Sequence, residues 1–268
     1  MVNHSDGDMT GRPGPGSAVD PPDLSIVVPA FNEAERLPET IATLLGLLDA
    51  RAGRSQLVVV DDGSSDATAA LAADLLGDRS DCSLVALGRH RGKGAAVRAG
   101  ILVSSCDRVV FMDADLATDL EDLDRVLAAL DHADVVLGSR RVQGSRVEGQ
   151  TLTAALAHRG FAGLARLVTG VPVEDFQCGF KAFRAPVAKV VFEQVREPGY
   201  AFDVEVLLVV HRMGLRIVEV PVRWRAMGGS HIRLVADSVS MLVSLARIRW
   251  RVGSARRGRW ARSRRAPR

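Results

Sequence analysis

The sequence predicts an α/β protein with a mostly parallel central sheet and helices on both faces. Short β-branched runs alternate along the chain with stretches of helical apolar spacing, which is the pattern of parallel strands joined by helices. The chain has 268 residues, of which 47% are hydrophobic and 25% charged. This length and composition suit one sizeable soluble domain with a packed core.

The first half of the chain alternates most clearly. LSIVVP at residues 24–29 predicts a buried first strand, and apolar spacing over residues 33–50 predicts a helix with Asn32 as its N-cap. QLVVV at residues 56–60 predicts the second strand, followed by a helix over 65–76. Further strands are predicted over residues 83–87, 107–112 and 134–137, with helices over 94–103 and 120–130. The pattern then weakens, leaving helices over 151–168 and 204–213 and a late strand over 216–220.

The two ends of the chain differ from this body. Residues 1–23 are polar, rich in Gly, Pro and Asp, and have no apolar h-region, so we expect a disordered leader and no signal peptide. The three cysteines are isolated, which is typical of free thiols in a reducing compartment. Residues 247–268 contain ten arginines and no acidic residue. This basic tail predicts either a solvated segment or binding to an anionic membrane surface.

Residues 234–250 predict a helix with one apolar side interrupted by arginines and Asp237, and no window of the chain is apolar enough for a spanning segment. Such a helix either packs on the domain or lies in the plane of a membrane. We divide the chain into a catalytic domain at 24–232, an amphipathic interface helix at 233–251 and a basic tail at 252–268. No nucleic-acid partner is expected, because the tail lacks interleaved aromatic residues.

Acidic residues follow two of the predicted strands. Asp61 and Asp62 close QLVVV, and Asp113 and Asp115 lie in DADL after DRVVFM. Ligands bind outside the carboxyl ends of strands in open α/β sheets, and converging carboxylates with phosphate oxygens suit Mg²⁺ or Mn²⁺. Lys93, in GRHRGKG, lacks the context of a Walker A loop but would suit an anionic nucleotide at a helix N-terminus.

Eight motifs in order give the chain a specific resemblance. They are VVPAFNEAERL, VVVDDGSSD, GRHRGKGAAVRAG, FMDADL, LGSR, EDFQCGFKAF, AFDVEVL and EVPVRWRAMGGS, between about residues 24 and 232. Together they resemble family-2 glycosyltransferases, and within that family the dolichyl- or polyprenyl-phosphate sugar synthases. The resemblance implies a GT-A fold, a divalent metal and inversion at the sugar carbon.

The resemblance also implies roles for particular residues. Asp113 and Asp115 match the pair that holds the metal and the diphosphate. The nucleotide sugar would be held by Pro29, Ala30, Asn32, Glu33, Asp61, Asp62, Lys93 and Asp113. The acceptor phosphate would be bound by Arg140, Arg159, Arg225 and His231, where His231 replaces the lysine of the family pattern. The catalytic set would be Asp175, Asp115 and Arg140, with Asp175 at the position often assigned as the base.

The acceptor changes what Asp175 must do. A hydroxyl acceptor needs a base, whereas a phosphate with a second pKa of about 6 is already largely ionised at neutral pH. We therefore expect Asp175 to orient groups while the arginines align the phosphate. The expected reaction is hexose transfer to a polyprenyl phosphate at the cytoplasmic face of a membrane. QCGFK favours UDP-glucose as donor. The alternatives are a GDP-mannose-dependent synthase, a transferase acting on a different acceptor, and a non-catalytic scaffold or nucleotide-sugar sensor.

Overall fold

A computed structural model of the protein describes residues 24–227 and 234–254. The predicted leader at 1–23, His231 and all of the basic tail after residue 254 lie outside these described residues. The described part is built on one seven-stranded sheet with the strand order β3-β2-β1-β4-β7-β5-β8. Its strands are β1 Leu24–Ala30, β2 Ser55–Asp61, β3 Cys82–Ala86, β4 Arg108–Met112, β5 Val135–Ser139, β7 Phe180–Arg184 and β8 Ile217–Pro221.

All neighbouring strands of this sheet are parallel except around β7, which runs antiparallel to both β4 and β5. A second, two-stranded sheet pairs β6 (Arg146–Glu148) with β9 (Arg223–Arg225). The mostly parallel α/β architecture expected from the sequence is confirmed. The antiparallel β7 has a consequence for the site, because it begins at the edge where β4 and β5 end.

Helices cover both faces of the large sheet, as the sequence predicts. They are α1 Leu37–Ala50, α2 Thr68–Leu76, α3 Lys93–Val103, α4 Leu123–Ala129, α5 Leu152–Thr169, α6 Ala185–Gln194, α7 Phe202–Arg212 and α8 Leu234–Ser254. One core joins α3, α5, α6, α7 and α8 to one face of the sheet, and the other joins α1, α2 and α4 to the opposite face. β2 contributes Val58 to the first core and Val59 to the second, as alternating side chains of a strand buried on both faces must.

The prediction that Asn32 caps the first helix is wrong. The helix begins at Leu37, with Pro38 in its first turn, a position where the fixed backbone angle and missing N–H of proline are favourable. Asn32 lies five residues earlier in a left-handed conformation with φ 55°, and its side-chain oxygen accepts hydrogen bonds from Ser65. Asparagine tolerates this conformation better than most residues. Its side chain therefore joins two loops and does not cap a helix.

Helix α8 packs on the domain, which is one of the two behaviours expected of it. Leu245 and Ile248 are buried in the core shared with α5 and α7, whereas Val243 and Trp250 are exposed. Within the described ranges, the length and apolar character needed to cross a bilayer are not found together in any helix. Contact of α8 with a membrane surface stays a prediction.

Candidate active site

The carboxyl edge of the sheet brings most of the expected residues together. Asp61 is the last residue of β2 and Asp62 follows it, Asp113 follows β4, and Arg140 follows β5. Because β7 is antiparallel, the segment that leads into it, residues 174–179, arrives at the same edge. The site therefore has a donor side formed by β1, β2 and β4 and an opposite side formed by β5 and the segment before β7.

The two carboxylates at the end of β2 both accept hydrogen bonds from backbone amides. Asp61 accepts from the amides of Gly63 and Ser64. Asp62 is 2% exposed, accepts from the amides of Arg91 and Gly92 at 2.8 Å, and lies 2.9 Å from Nδ1 of His90. These bonds fix the loop that precedes α3. Direct contact of Asp61 or Asp62 with a nucleotide stays a prediction.

A second loop, residues 29–34, forms the adjacent wall. The amide of Asn32 donates to Ser64 Oγ at 2.9 Å, and the amide of Glu33 donates to Thr68 Oγ1 at 2.8 Å. Ala30 is buried at the end of β1, and Pro29 lies beside it within the strand. The wall expected to hold the nucleotide is thus fastened to the loop after β2.

Lys93 contacts the carboxylate expected to bind the metal. It stands at the first position of α3, and its Nζ lies 2.6 Å from Asp113 Oδ1. Burial alone would lower the pKa of Lys93, but the charges of Asp113 and Asp203 raise it above its usual value. The lysine therefore carries its charge at neutral pH, next to the place where a diphosphate would lie.

Asp115 supplies the second carboxylate of the DADL motif. Its Oδ1 accepts from the amide of Ala117 at 3.1 Å. Burial, and then the neighbouring charge of Asp113, raise the pKa of Asp115. A divalent cation between the two carboxylates would relieve that repulsion, and hard oxygen ligands are what Mg²⁺ and Mn²⁺ prefer. Within the described residues, no three His, Cys, Asp or Glu side chains are grouped so that they could hold a metal ion.

Gly179 presses its backbone against Asp113. A Cβ atom placed on Gly179 would lie 2.1 Å from Oδ2 and 2.5 Å from Oδ1 of that carboxylate. Real Cβ atoms essentially never come within 3.0 Å of another heavy atom. The absence of a side chain at residue 179 therefore sets where the Asp113 carboxylate can lie.

Arg140 and Asp175 form a paired unit on the other side of the site. Nε and Nη2 of Arg140 donate to the two Asp175 oxygens at 2.7 and 2.9 Å, and its backbone amide donates to Oδ2 at 3.1 Å. Burial would raise the pKa of Asp175, but hydrogen bonds and charge from Arg140 hold it well below its usual range. A carboxylate in this state is a poor proton acceptor, which agrees with an orienting role.

A cationic cleft of about 450 Å³ opens beside this pair. It is lined by Arg140, Arg141, Ser145, Val147, Gln150, Ala155, His158, Arg159 and Glu174. Burial, and then the charges of Arg140 and Arg141, lower the pKa of His158. Sequence reasoning identified Arg140 and Arg159 but missed Arg141 and His158, although each of these directly adjoins an arginine that it did identify.

Arg225 is not among the residues that line this cleft. It is 73% exposed and pairs with Glu148 at 3.0 Å, joining β9 to β6. Its backbone amide donates to the carbonyl of Ala117 at 2.8 Å, which ties β9 to the segment that follows Asp115. Among the four residues expected at the acceptor phosphate, Arg140 and Arg159 line one cleft, Arg225 lies outside that lining, and His231 is outside the described residues. Contact of any of them with a phosphate stays a prediction.

Two glutamates connect α8 to the loop before α7. Ser244 donates to Glu197 at 3.0 Å, and Arg251 donates to Glu205 at 3.1 Å. Glu205 in turn accepts from the backbone amides of residues 196 and 197. The next carbonyl, that of Pro198, accepts from the amide of Gly94 at 2.8 Å in the first turn of α3. Residues 196–199 are therefore held between α8 and the helix end that carries Lys93.

Comparisons with known proteins identify relatives over most of the chain. The family model described as Glycosyl transferase family 2 matches residues 25–192. The dolichyl-phosphate beta-glucosyltransferase of Dictyostelium discoideum is 32% identical over 242 residues, which cover 85% of this chain and 74% of that protein. The human dolichyl-phosphate beta-glucosyltransferase is 30% identical over 224 residues, covering 78% of this chain and 69% of the relative.

Solved structures share the fold. Glucosyl-3-phosphoglycerate synthase from Mycobacterium tuberculosis, in complex with Mn²⁺, UDP and glucosyl-3-phosphoglycerate, has a TM-score of 0.63 at 20% identity, covering 88% of this chain and 82% of that one. Mannosyl-3-phosphoglycerate synthase from Rubrobacter xylanophilus has a TM-score of 0.64 at 20% identity, covering 88% and 76%. These similarities confirm a GT-A-like fold.

Proposed function

The chain belongs to glycosyl transferase family 2, and we propose that it transfers glucose from a nucleotide sugar, with inversion, to a polyprenyl phosphate. Its relatives at about 30% identity are dolichyl-phosphate beta-glucosyltransferases. They favour neither a GDP-mannose-dependent synthase nor a non-catalytic scaffold or sensor. UDP-glucose is therefore the proposed donor.

The observation that carries the proposal is the position of Arg140, which lies in the cationic cleft on the side of the site that faces Asp113. Its guanidinium lines the cationic cleft. Burial would lower the pKa of Arg140, but its contacts with Asp175 and, after them, the charge of Asp113 on the donor side raise it. A phosphate in the cleft would thus lie next to a sugar whose diphosphate is held at Asp113 and Lys93. This is the arrangement that in-line displacement requires, because reacting groups must be held together and aligned.

We propose that Asp113 and Asp115 hold Mg²⁺ or Mn²⁺ together with the donor diphosphate. The two carboxylates support this, because they supply the oxygen ligands that these cations prefer. The structural neighbour solved in complex with Mn²⁺ and UDP supports it as well. The bound cation would neutralise the negative charge that develops on the departing diphosphate. Lys93 would add a fixed positive charge at the same place, since Asp113 and Asp203 keep it protonated.

The acceptor side needs cations more than it needs a base. Arg140, Arg141 and Arg159 present three guanidinium groups to one cleft, and arginine binds phosphate oxygens in paired hydrogen bonds. Asp175 accepts three hydrogen bonds from Arg140 and so fixes the direction of that side chain. The proton of the acceptor has already left, so no residue need remove it.

A lipid acceptor places the reaction at a membrane surface, and we propose a peripheral attachment on the cytoplasmic side. On α8, Trp250 is 77% exposed and Val243 is 53% exposed. Arg247 and Arg249, which lie between them in the sequence, are exposed as well. Exposed apolar and basic side chains on one helix suit the interface of an anionic bilayer. The basic tail that follows would add electrostatic attraction.

The test is a donor panel. Purified protein is incubated with UDP-glucose, GDP-mannose or other nucleotide sugars, a short polyprenyl phosphate, and Mg²⁺ or Mn²⁺, and lipid-linked sugar is measured. We expect a β-linked glucosyl product from UDP-glucose and its loss in Asp115→Ala. Asp74→Ala, an exposed change on α2, is the matched control. Product from GDP-mannose alone would refute the donor, and no product from any pair would refute the synthase.

A further inference from the structure

Lys181 is a fully buried cation directly behind the site. It lies on β7 with a relative exposure of 0%. Its Nζ donates to Asp203 Oδ1 and to the carbonyl of Cys178, both at 2.6 Å, and lies 5.3 Å from the centre of the Phe111 ring. Moving an ammonium out of water is costly, and an apolar pair of similar volume is often as stable. Stability alone is therefore a weak reason for this residue.

The contacts of Lys181 lead to the donor side of the site. Its partner Asp203 lies in the first turn of α7. The preceding residue, Phe202, packs tightly against Gly94, which follows Lys93: a Cβ placed on Gly94 would lie 2.5 Å from the Phe202 Cβ. Lys93 is bonded to Asp113. Positive and negative groups thus alternate from the core to the metal-binding carboxylate, and removal of one buried member leaves its neighbours incompletely compensated.

A second set of contacts leads to the segment between the two sides. Lys181 holds the carbonyl of Cys178, and the next residue, Gly179, is the one that presses on Asp113. Lys181 also pairs in register with Phe111 across the β4–β7 ladder. The same segment carries Asp175, the partner of Arg140, whose Oδ1 also accepts from the amide of Gln177 at 3.1 Å. One side chain therefore bears on both the donor carboxylate and the acceptor-side pair.

We propose that Lys181 is a positioning residue of the transfer reaction, which fixes Asp113 and the 175–179 segment relative to each other. Its role is indirect, because Lys181 is buried and touches neither substrate. Asp203 completes the arrangement by holding the Lys181 ammonium in place. The part of the test that measures kcat/KM rests on the proposed function, whereas the part that measures UDP binding does not.

The test compares charge-balanced variants. Lys181→Met leaves Asp203 without its buried partner and is expected to destabilise the fold. The double variant Lys181→Met with Asp203→Asn removes both charges and is expected to restore folding, seen in the thermal unfolding midpoint. Lys189→Met on α6 is the matched control, because Lys189 is exposed. The double variant should still lose on the order of 10²-fold in kcat/KM for UDP-glucose, since misplacement by about 1 Å has that effect.

UDP affinity in Mn²⁺, measured by calorimetry, is the readout that a purely structural role would not move. We expect UDP to bind the folded double variant at least about tenfold more weakly than it binds Lys189→Met, a cost of about 1.4 kcal/mol. Equal UDP affinity and equal kcat/KM in the two proteins would overturn the inference. Absence of transfer by the wild-type protein would refute the proposed function alone, because the UDP comparison needs no turnover.

Discussion

Gly179→Ala should disable the donor side without unfolding the protein. The added Cβ would lie 2.1 Å from Asp113 Oδ2, 2.3 Å from Cγ and 2.5 Å from Oδ1, whereas ordinary contacts are 3.4–4 Å. The carboxylate must therefore move by at least about 1 Å or rotate to another position. A misplacement of about 1 Å can lower the rate of a catalysed reaction about 10²-fold. Gly179 is not among the glycines with positive φ, so alanine brings no backbone strain, and the effect is that of the clash.

A loss of 10²-fold corresponds to about 2.7 kcal/mol of transition-state stabilisation. Initial rates with varied UDP-glucose and Mn²⁺ would measure it, and we expect weaker Mn²⁺ activation together with lower kcat. Gly46→Ala is the control: Gly46 lies on α1 with nothing within 4 Å of the added atom. That change should leave the rate unaltered and stabilise the helix by up to about 1 kcal/mol. If Gly179→Ala kept a rate within threefold of Gly46→Ala, the close approach would not constrain Asp113 as described.

Three further predictions test the acceptor side and the attachment. Arg159→Ala should raise KM for the polyprenyl phosphate about tenfold or more, because one guanidinium leaves the cleft. Arg225→Ala removes an exposed pair with Glu148 and should change this KM less than threefold. A larger KM increase in Arg225→Ala than in Arg159→Ala would exclude the cleft as the phosphate site. The native pKa of His158 is below its ordinary value of 6.5, so the unfolded state binds more protons and stability falls as pH decreases through 6.5. His158→Gln should therefore lose less stability than the wild type between about pH 7.5 and 5.5 in urea unfolding, and an identical loss in both proteins would contradict the burial argument. Removal of residues 252–268 should weaken co-sedimentation with anionic vesicles at low salt, and unchanged binding would make α8 the main anchor.

Much of the fold follows from the sequence because its strands are apolar on both faces. LSIVVP and QLVVV have no other stable place than a sheet covered on both sides. The pattern missed the short strands β6 and β9 and one strand of the large sheet, β7. β7 is interrupted by Lys181, whose buried charge is paired with Asp203, 22 residues later in the chain. Local periodicity cannot register such a partner. The helix α6 that follows was missed with it.

The residues of the candidate site were also predictable from the sequence only in part. Asp113, Asp115, Arg140 and Asp175 follow from motifs, because each lies at a strand end or beside one. The cleft does not, since it needs α5 to bring His158 and Arg159 back against Arg140. Arg225, a motif position, pairs with Glu148 on the neighbouring strand, and the motif gives no sign of that partner. Such pairings depend on packing between distant segments, which a linear pattern does not contain.

The link from α8 through residues 196–199 to the start of α3 has a further consequence. Any influence that seats α8 more firmly would also steady Lys93, and thermodynamic linkage makes such an effect reciprocal. A bound donor that orders the start of α3 would favour the seated helix in the same proportion. With the donor and the attachment of α8 proposed above, donor binding and residence at the bilayer would then promote one another.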